Sequence, residues 1–574
     1  MKKIIGSIIL MVIGFSNYAQ TSNSPITFTV LDAETKEAIP YATVYSKNLG
    51  TGTVTNLAGQ FQWKSSNKVD TLILSFVGYQ SQTFIGVNTI PVTILLKPKT
   101  EVLASAFVYG NMTFLYALVA NCKDVKSNRP KTAKTYLSLE SIINKQTIET
   151  MEAYYNGSFK GYDCDELKLK TGRLAISNFG DRFFISTETS KALYLHQLYG
   201  ESTHFPTSPM GLNKKKLTKY FQLQFVKSYK NESNQTIYQI EYQPKEECLD
   251  CFHGTLWVDS LNKQIQKVTL LTDSTQKHPF IPIGSSDKLL NVSLEITKNY
   301  ETGSEVQFKS TDFNYQLVYN TRSDSVFTVN TNALVYAYDY STLFTLPHFK
   351  YGNIRYQDYI LIGSVPYNWF FWQNYKEFNM ANGKESVLYR SLNPSQTGTF
   401  VNTHNPYFQK PFFEHSYKAW SIKRVQLNLA LDQSVSRSVP LEAPPSQQYK
   451  LFTQIYMDIN AFNDSLDIKT RSYFDPYYSY FYLPQTRKTD AFVNMYFDLT
   501  EIKRKELEQR LSKAQTKAQA QAIYAKCMDE LNEQQKSFLK ETQRGNNLIA
   551  MKKWNDIIFK ELKIDNVMLF RLEE

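Results

Sequence analysis

A chain of 574 residues has room for about three or four domains. Its aromatic content of 14%, with 39 Tyr and 37 Phe, suits β-rich domains or protein and carbohydrate contact surfaces. The formal charge of +11 is spread along the chain apart from Lys214-Lys215-Lys216, which has no aromatic interleaving, so nucleic-acid binding is not expected.

Met1-Lys2-Lys3 is a basic start, Ile4 to Phe15 is apolar, and Ala19-Gln20 offers a cleavage point. This pattern predicts a secretory leader over residues 1–19. No later window reaches the roughly 18 apolar residues of a membrane helix, so the mature chain is expected to be exported without one. Its expected location is the periplasm or the outer-membrane surface.

From Ile26 to Tyr79 short apolar strands alternate with turn residues. Strands are expected at Thr27–Leu31, after Pro40 with Ala42 and Val44 inward, at Thr53–Thr55, Phe61–Trp63, Thr71–Phe76 and Val92–Leu96. Turn signals spaced about 8–12 residues apart predict a small all-β sandwich. The elements Val30-Leu31-Asp32, Ile39-Pro40-Tyr41-Ala42-Thr43-Val44, Gly52-Thr53-Val54-Thr55-Asn56, Gly59-Gln60-Phe61 and Leu74-Ser75-Phe76-Val77-Gly78-Tyr79 occur in order. Residues 24–98 thereby resemble the carboxypeptidase regulatory-like domain, a prealbumin-like sandwich of Bacteroidetes-type envelope proteins. Thr27 stands where that family often has glycine. The resemblance implies no catalytic residues, and it points to a compartment more than to an activity.

Residues 99–135 are expected to form a helical linker, because Phe114, Leu115, Leu118 and Val119 fall near helical spacing before Asn128-Arg129-Pro130. A β-rich middle domain is expected over 136–345. Its strands read at Tyr136–Leu139, Glu152–Lys160, Thr236–Tyr242, Thr255–Val258, Ile265–Leu271 and Leu290–Thr297. The run from Ile237 through Val268 looks like the strand meander of lipoprotein-carrier-type folds, which implies a large curved sheet able to hold a hydrophobic ligand or partner.

Cys248-Leu249-Asp250-Cys251 is a CxxC motif. A zinc site needs a second ligand pair, which the sequence does not supply, and a strand follows where a thioredoxin-like motif needs a helix. A disulfide is the simpler expectation in an oxidising compartment, with Cys122 and Cys164 as a second possible pair. The seven histidines are isolated from one another, with no HxxxH spacing. There is no GxSxG elbow, Walker loop or GxGxxG after a strand, and no residue is assigned to catalysis, cofactor or metal.

Residues 346–414 form an aromatic-rich connecting region. Trp369, Phe370, Phe371 and Trp372 are adjacent, so either helix or strand would present them on more than one face. Burial is one account and a contact surface is the other.

Residues 415–574 are expected to be an α+β domain with long helices. Pro440 to Gln448 is a loop, and a hairpin turns at Asn463-Asp464. A helical charged segment then runs to about Lys540, interrupted at Gly545-Asn546-Asn547, and a final helix starts near Met551. Phe497-Asp498-Leu499-Thr500-Glu501-Ile502, Glu541 to Asn547 and Lys553-Trp554-Asn555 resemble a family of secreted bacterial zincin-like domains of unknown function. That family carries HExxHFD on its helix. Here the histidine positions fall on Phe492 and Tyr496 and the glutamate position on Val493. Imidazoles and a general base are then missing, so the resemblance implies a degenerate, metal-free relative. The alternative is that these residues are simply the core of an amphipathic helix.

The expected fold is therefore multidomain α+β, mostly β. The expected role is non-catalytic binding or scaffolding with other envelope proteins or glycan as partners. A hydrolase with an unrecognised site and a carrier of a hydrophobic ligand stand as alternatives.

Overall fold

The computed structural model describes residues 26–40, 42–48, 52–55, 58–63, 71–76, 79–86, 89–99, 113–122, 130–179, 182–183, 186, 192, 195–200, 203–231, 234–280, 288–320, 325–351, 358–375, 388–389, 392, 399–401, 417–425, 448–462 and 465–573. The leader over 1–19, most of the proline-rich stretch and the Asn463-Asp464 turn lie outside these residues. The protein is mostly β, in two compact units, one ending at Pro98 and one built from the later residues.

The first unit is the expected sandwich. One sheet orders Gln60–Trp63, Ile26–Asp32 and Thr93–Leu96; the other orders Gly52–Val54, Thr43–Ser46, Thr71–Ser75 and Gln82–Ile85. Alternation decides which side chains go in: Phe28, Val30, Val44, Phe61, Leu72, Leu74, Ile94 and Leu96 form its core. The Phe28 and Phe61 rings stack at 5.0 Å. The strand Gln82–Ile85 is not evident in the sequence, because its side chains are exposed or half-buried and show no apolar rhythm. Gly59 has a φ of +69°, and a Cβ there would meet the Val30 carbonyl oxygen at 2.4 Å, so the turn before Gln60 needs glycine.

The second unit is built on an eleven-stranded sheet. Its order is Phe221–Lys230, Thr236–Pro244, His253–Asp259, Gln264–Thr272, Lys288–Glu301, Gln307–Asn320, Val326–Asp339, Lys131–Ile143, Gln146–Lys160, Asp163–Ile176 and Thr399–Val401. All neighbours are antiparallel except the last pair. The strands run longer than the sequence suggests. The first begins at Lys131, inside the stretch expected to be linker. Helix α1 (Thr113–Asn121) also belongs to this unit, since Leu115 and Val119 are buried in the sheet's core. Helix α2 (Lys214–Tyr220) carries the lysine triplet and leads into the edge strand Phe221–Lys230.

Two short helices follow the sheet, α3 (Asp358–Ser364) and α4 (Trp369–Asn374). Next comes the hairpin Thr453–Phe462 with Ser465–Phe474. The single helical segment expected up to Lys540 is two helices, α5 (Arg487–Leu511) and α6 (Lys517–Thr542), and the final long helix α7 begins at Leu548 and ends at Leu562. Thr516 breaks the segment: its hydroxyl accepts from Gln519 N–H and Gln519 caps back, a reciprocal pair that starts a new helix. The short α8 (Asn566–Leu569) ends the fold. Leu361 and Ile362 of the connecting region and Tyr417, Tyr456 and Tyr473 share one core with Leu137 and Phe159, so sheet, connecting region and hairpin pack as one body. Among the described residues no helix is long and apolar enough to cross a membrane.

Candidate functional site

The two faces of the strand Asp163–Ile176 receive different partners. On one, Gly172 leaves room for Ile362 of α3, and the Tyr155 hydroxyl donates to Asp358 at 3.0 Å. On the other, Arg173 donates to Glu152 at 2.8 Å, with its guanidinium 4.3 Å from the Trp372 ring and 4.2 Å from the Tyr389 ring. A planar cation between two ring faces and paired with a carboxylate keeps its charge without water.

Helix α4 is capped by Asn368, whose Oδ1 accepts from Phe371 N–H. Its four aromatic residues do not form one contact surface. Phe371 is buried against Tyr154 and Tyr375, Trp372 packs on Tyr154 and Arg173, and Phe370 is half-buried. Only Trp369 of the four is open to solvent. A single helical turn spreads four consecutive side chains around its axis, so packing takes most of them.

Beside α4 lies a buried polar cluster that no sequence motif announces. The register of the sheet slips between Leu169 and Thr171, leaving Lys170 as the extra residue of a bulge. A bulge re-aims its side chain. Lys170 Nζ sits 2.5 Å from Asp458 Oδ1 and 3.2 Å from the Ile459 carbonyl oxygen. Asn368 Nδ2 donates to Asp458 Oδ2 at 2.7 Å and Asn460 Nδ2 donates to the same oxygen at 3.1 Å. Both charged side chains are withdrawn from solvent. Burial pulls the Lys170 amine below the ordinary lysine range, and Asp458 opposes that shift. In sequence, Leu167-Lys168-Leu169-Lys170 reads as alternation with the lysines facing water, and the bulge breaks that parity.

Cys248 and Cys251 are joined by a disulfide, whereas Cys122 and Cys164 do not form the second pair. The disulfide turn ties two further segments together: Phe252 N–H donates to the Thr207 carbonyl, and the Thr275 hydroxyl to Asp250. Leu249 at its tip is 99% exposed.

On α5, Phe492, Val493 and Tyr496 are fully or nearly fully buried. Phe492 stacks on Phe538 at 5.4 Å, and the Tyr496 hydroxyl donates to Gln535 at 3.0 Å. Asp498 accepts from Trp420 Nε1 at 2.8 Å, from Arg424 Nη1 at 2.9 Å and from Asn566 Nδ2 at 2.8 Å. Burial raises its pKa and the Arg424 charge opposes the rise. This carboxylate ties the loop before the hairpin, α5 and α8 together. Among the described residues no group of three or more His, Cys, Asp or Glu side chains is placed to hold a metal.

In the first unit Asp32 and Tyr79, from opposite ends of the motif series, meet. The Tyr79 hydroxyl donates to Asp32 Oδ2 at 2.5 Å, while Oδ1 accepts from Glu34 N–H and Thr35 N–H. Residues 26–108 match the CarboxypepD_reg-like domain family. The match begins where the first strand begins and takes in every element of the sandwich. A CarboxypepD_reg-like domain is a general binding and scaffold type. The match ends well before α5, and the zincin-like resemblance gains no support from it.

No curated protein matches the chain. Among solved structures, it is similar to a LolA superfamily protein, NE2245 from Nitrosomonas europaea, at 12% identity over 42% of this chain and 97% of that one, with a TM-score of 0.15. It is also similar to a structure titled as the Pseudomonas aeruginosa MucA/MucB complex, at 9% identity over 39% of this chain and 93% of that one, TM-score 0.15. A putative outer membrane lipoprotein-sorting protein domain from Vibrio parahaemolyticus is 12% identical over 36% of this chain and 83% of that one, TM-score 0.13.

Proposed function

We propose that the protein is an exported cell-envelope component with a non-catalytic binding or scaffolding role, its contacts made through the CarboxypepD_reg-like domain. The observation that carries this reading is that domain's match on a sandwich with its own core. Two features of the second unit support it. The aromatic run 369–372 is spent mostly on internal packing, and the helix positions where a zincin would hold its metal are apolar or phenolic core. The partner is another envelope protein or a glycan.

Affinity purification of the tagged protein from solubilised envelopes, beside a version lacking residues 24–98, tests this. A defined partner recovered with the full chain and lost with the deletion supports the proposal. Partners that persist without residues 24–98 overturn the assignment to the sandwich. Lipid recovered with the shortened chain, in place of a protein partner, favours the carrier reading. A carrier would have to make room on the sheet, whose core already includes the chain's own Leu115, Val119, Phe205 and Phe252.

A further inference from the structure

Lys170 and Asp458 are 288 positions apart in sequence, yet they meet end to end with no water between them. An isolated ion pair in such a place is expensive, because each charge forfeits its hydration. The surroundings are unlike those of an ordinary buried pair. The amine approaches one carboxylate oxygen, while two amide donors, Asn368 Nδ2 and Asn460 Nδ2, converge on the other. His348 is paired with Met457 through both backbone hydrogen bonds, and its Nε2 is buried without a hydrogen-bond partner, as is Asp467 Oδ2. The buried Tyr351 and Tyr456 side chains lie near enough to Asp458 to feel its charge.

We infer that Lys170 and Asp458 condense into an intramolecular isopeptide bond, a covalent link between the sheet strand Asp163–Ile176 and the hairpin strand Thr453–Phe462. The ammonium proton first passes to the Asp458 carboxylate, giving a neutral amine and a carboxylic acid. The Nζ lone pair then attacks Cγ, and the oxygen that gathers negative charge is Oδ2, held by the two asparagine amides. Such paired donors are the arrangement that stabilises a tetrahedral oxyanion. Oδ1 takes a proton from the attacking nitrogen and leaves as water, so one C–N bond forms, one C–O bond breaks, and no oxidant or cofactor is needed. Contact distance between the reacting groups supplies the entropic advantage of an intramolecular reaction. Burial, which favours the uncharged amine, works in the same direction. The product removes both charges and leaves an amide in hydrogen-bonding reach of the same asparagines.

Intact mass spectrometry of the full chain after reduction of its disulfide decides the matter. The expected mass is one water below that of the sequence as produced, and proteolysis yields a branched peptide containing both Lys170 and Asp458. Lys170→Arg is expected to restore the full mass. Asp458→Asn is expected to lose one ammonia instead of one water. Wild-type protein at full mass with no branched peptide overturns the inference. Because the deciding measurement is made on the wild type, misfolding of either variant does not affect it.

Discussion

Glu149 is a carboxyl group enclosed by a backbone amide and a hydroxyl. The Ser186 N–H donates to its oxygens at 2.8 and 2.9 Å, and the Ser141 hydroxyl donates at 2.9 Å. Burial outweighs these bonds and raises its pKa from 4.5 to about 7. A carboxyl group with a raised pKa holds its proton longer in the folded state than in the unfolded one. Its contribution is therefore fully present below the unfolded value and is lost as pH rises through about 7. Denaturant midpoints of wild type should fall over that window, and Glu149→Gln should flatten the slope and gain at most about 3 kcal/mol above it. A steeper slope in the variant would count against this assignment. Arg173 gives a second expectation at this scale. Lysine cannot reproduce a planar cation between Trp372 and Tyr389, so Arg173→Lys should lower stability by about 2 kcal/mol in the same assay. Neither residue was visible in the sequence. Glu149 and Arg173 look like the polar phase of alternating strands, and only the segments packed on those strands reveal that both faces are covered.

At the scale of elements, α3 docks through a single missing side chain. A Cβ on Gly172 would lie 2.5 Å from Ile362 Cγ1 and 2.7 Å from its Cδ1. Gly172→Ala should therefore cost about 1–3 kcal/mol through overpacking. Ile362→Ala should also destabilise alone, yet the double variant should be markedly less unstable than the sum, because the clash and the space cancel. Additive losses in a thermal-melt cycle would show that the helix simply shifts. The helix break is testable too: Thr516→Ala removes a cap and should cost about 1 kcal/mol. Elements were unevenly legible. The sandwich strands announced themselves, since Phe28 and Val30 alternate cleanly and turn residues flank them. The long sheet strands read short at their ends: Gln146–Lys160 reads as a strand only from Glu152, because Gln146-Thr147 and Glu149-Thr150 look like turn or surface residues in the sequence. The helix break was missed because Ser512 to Gln515 contains neither glycine nor proline.

At the scale of the whole molecule, two compact units predict two cooperative transitions. Calorimetry of the full chain should resolve one for residues 26–98 and one for the rest, and deleting residues 24–98 should remove the first while leaving the second within a few degrees. The second should not split, because Tyr417, Tyr456 and Tyr473 join the hairpin to the sheet. The sequence divided that body into a middle domain, a connecting region and a C-terminal domain, since composition changes along the chain but the shared core is made across it.

The bulge at Lys170 also sets a clock. Synthesis proceeds at about 5–20 residues per second, so the 288 positions to Asp458 take roughly 15 to 60 s to appear. Sheet strands up to Asp339 can pair during that interval, while the Lys170 amine has no carboxylate to meet. The body can be sealed only after most of it already exists, and a chain truncated before the hairpin would carry an unmatched lysine where the finished protein has a deeply buried ion pair.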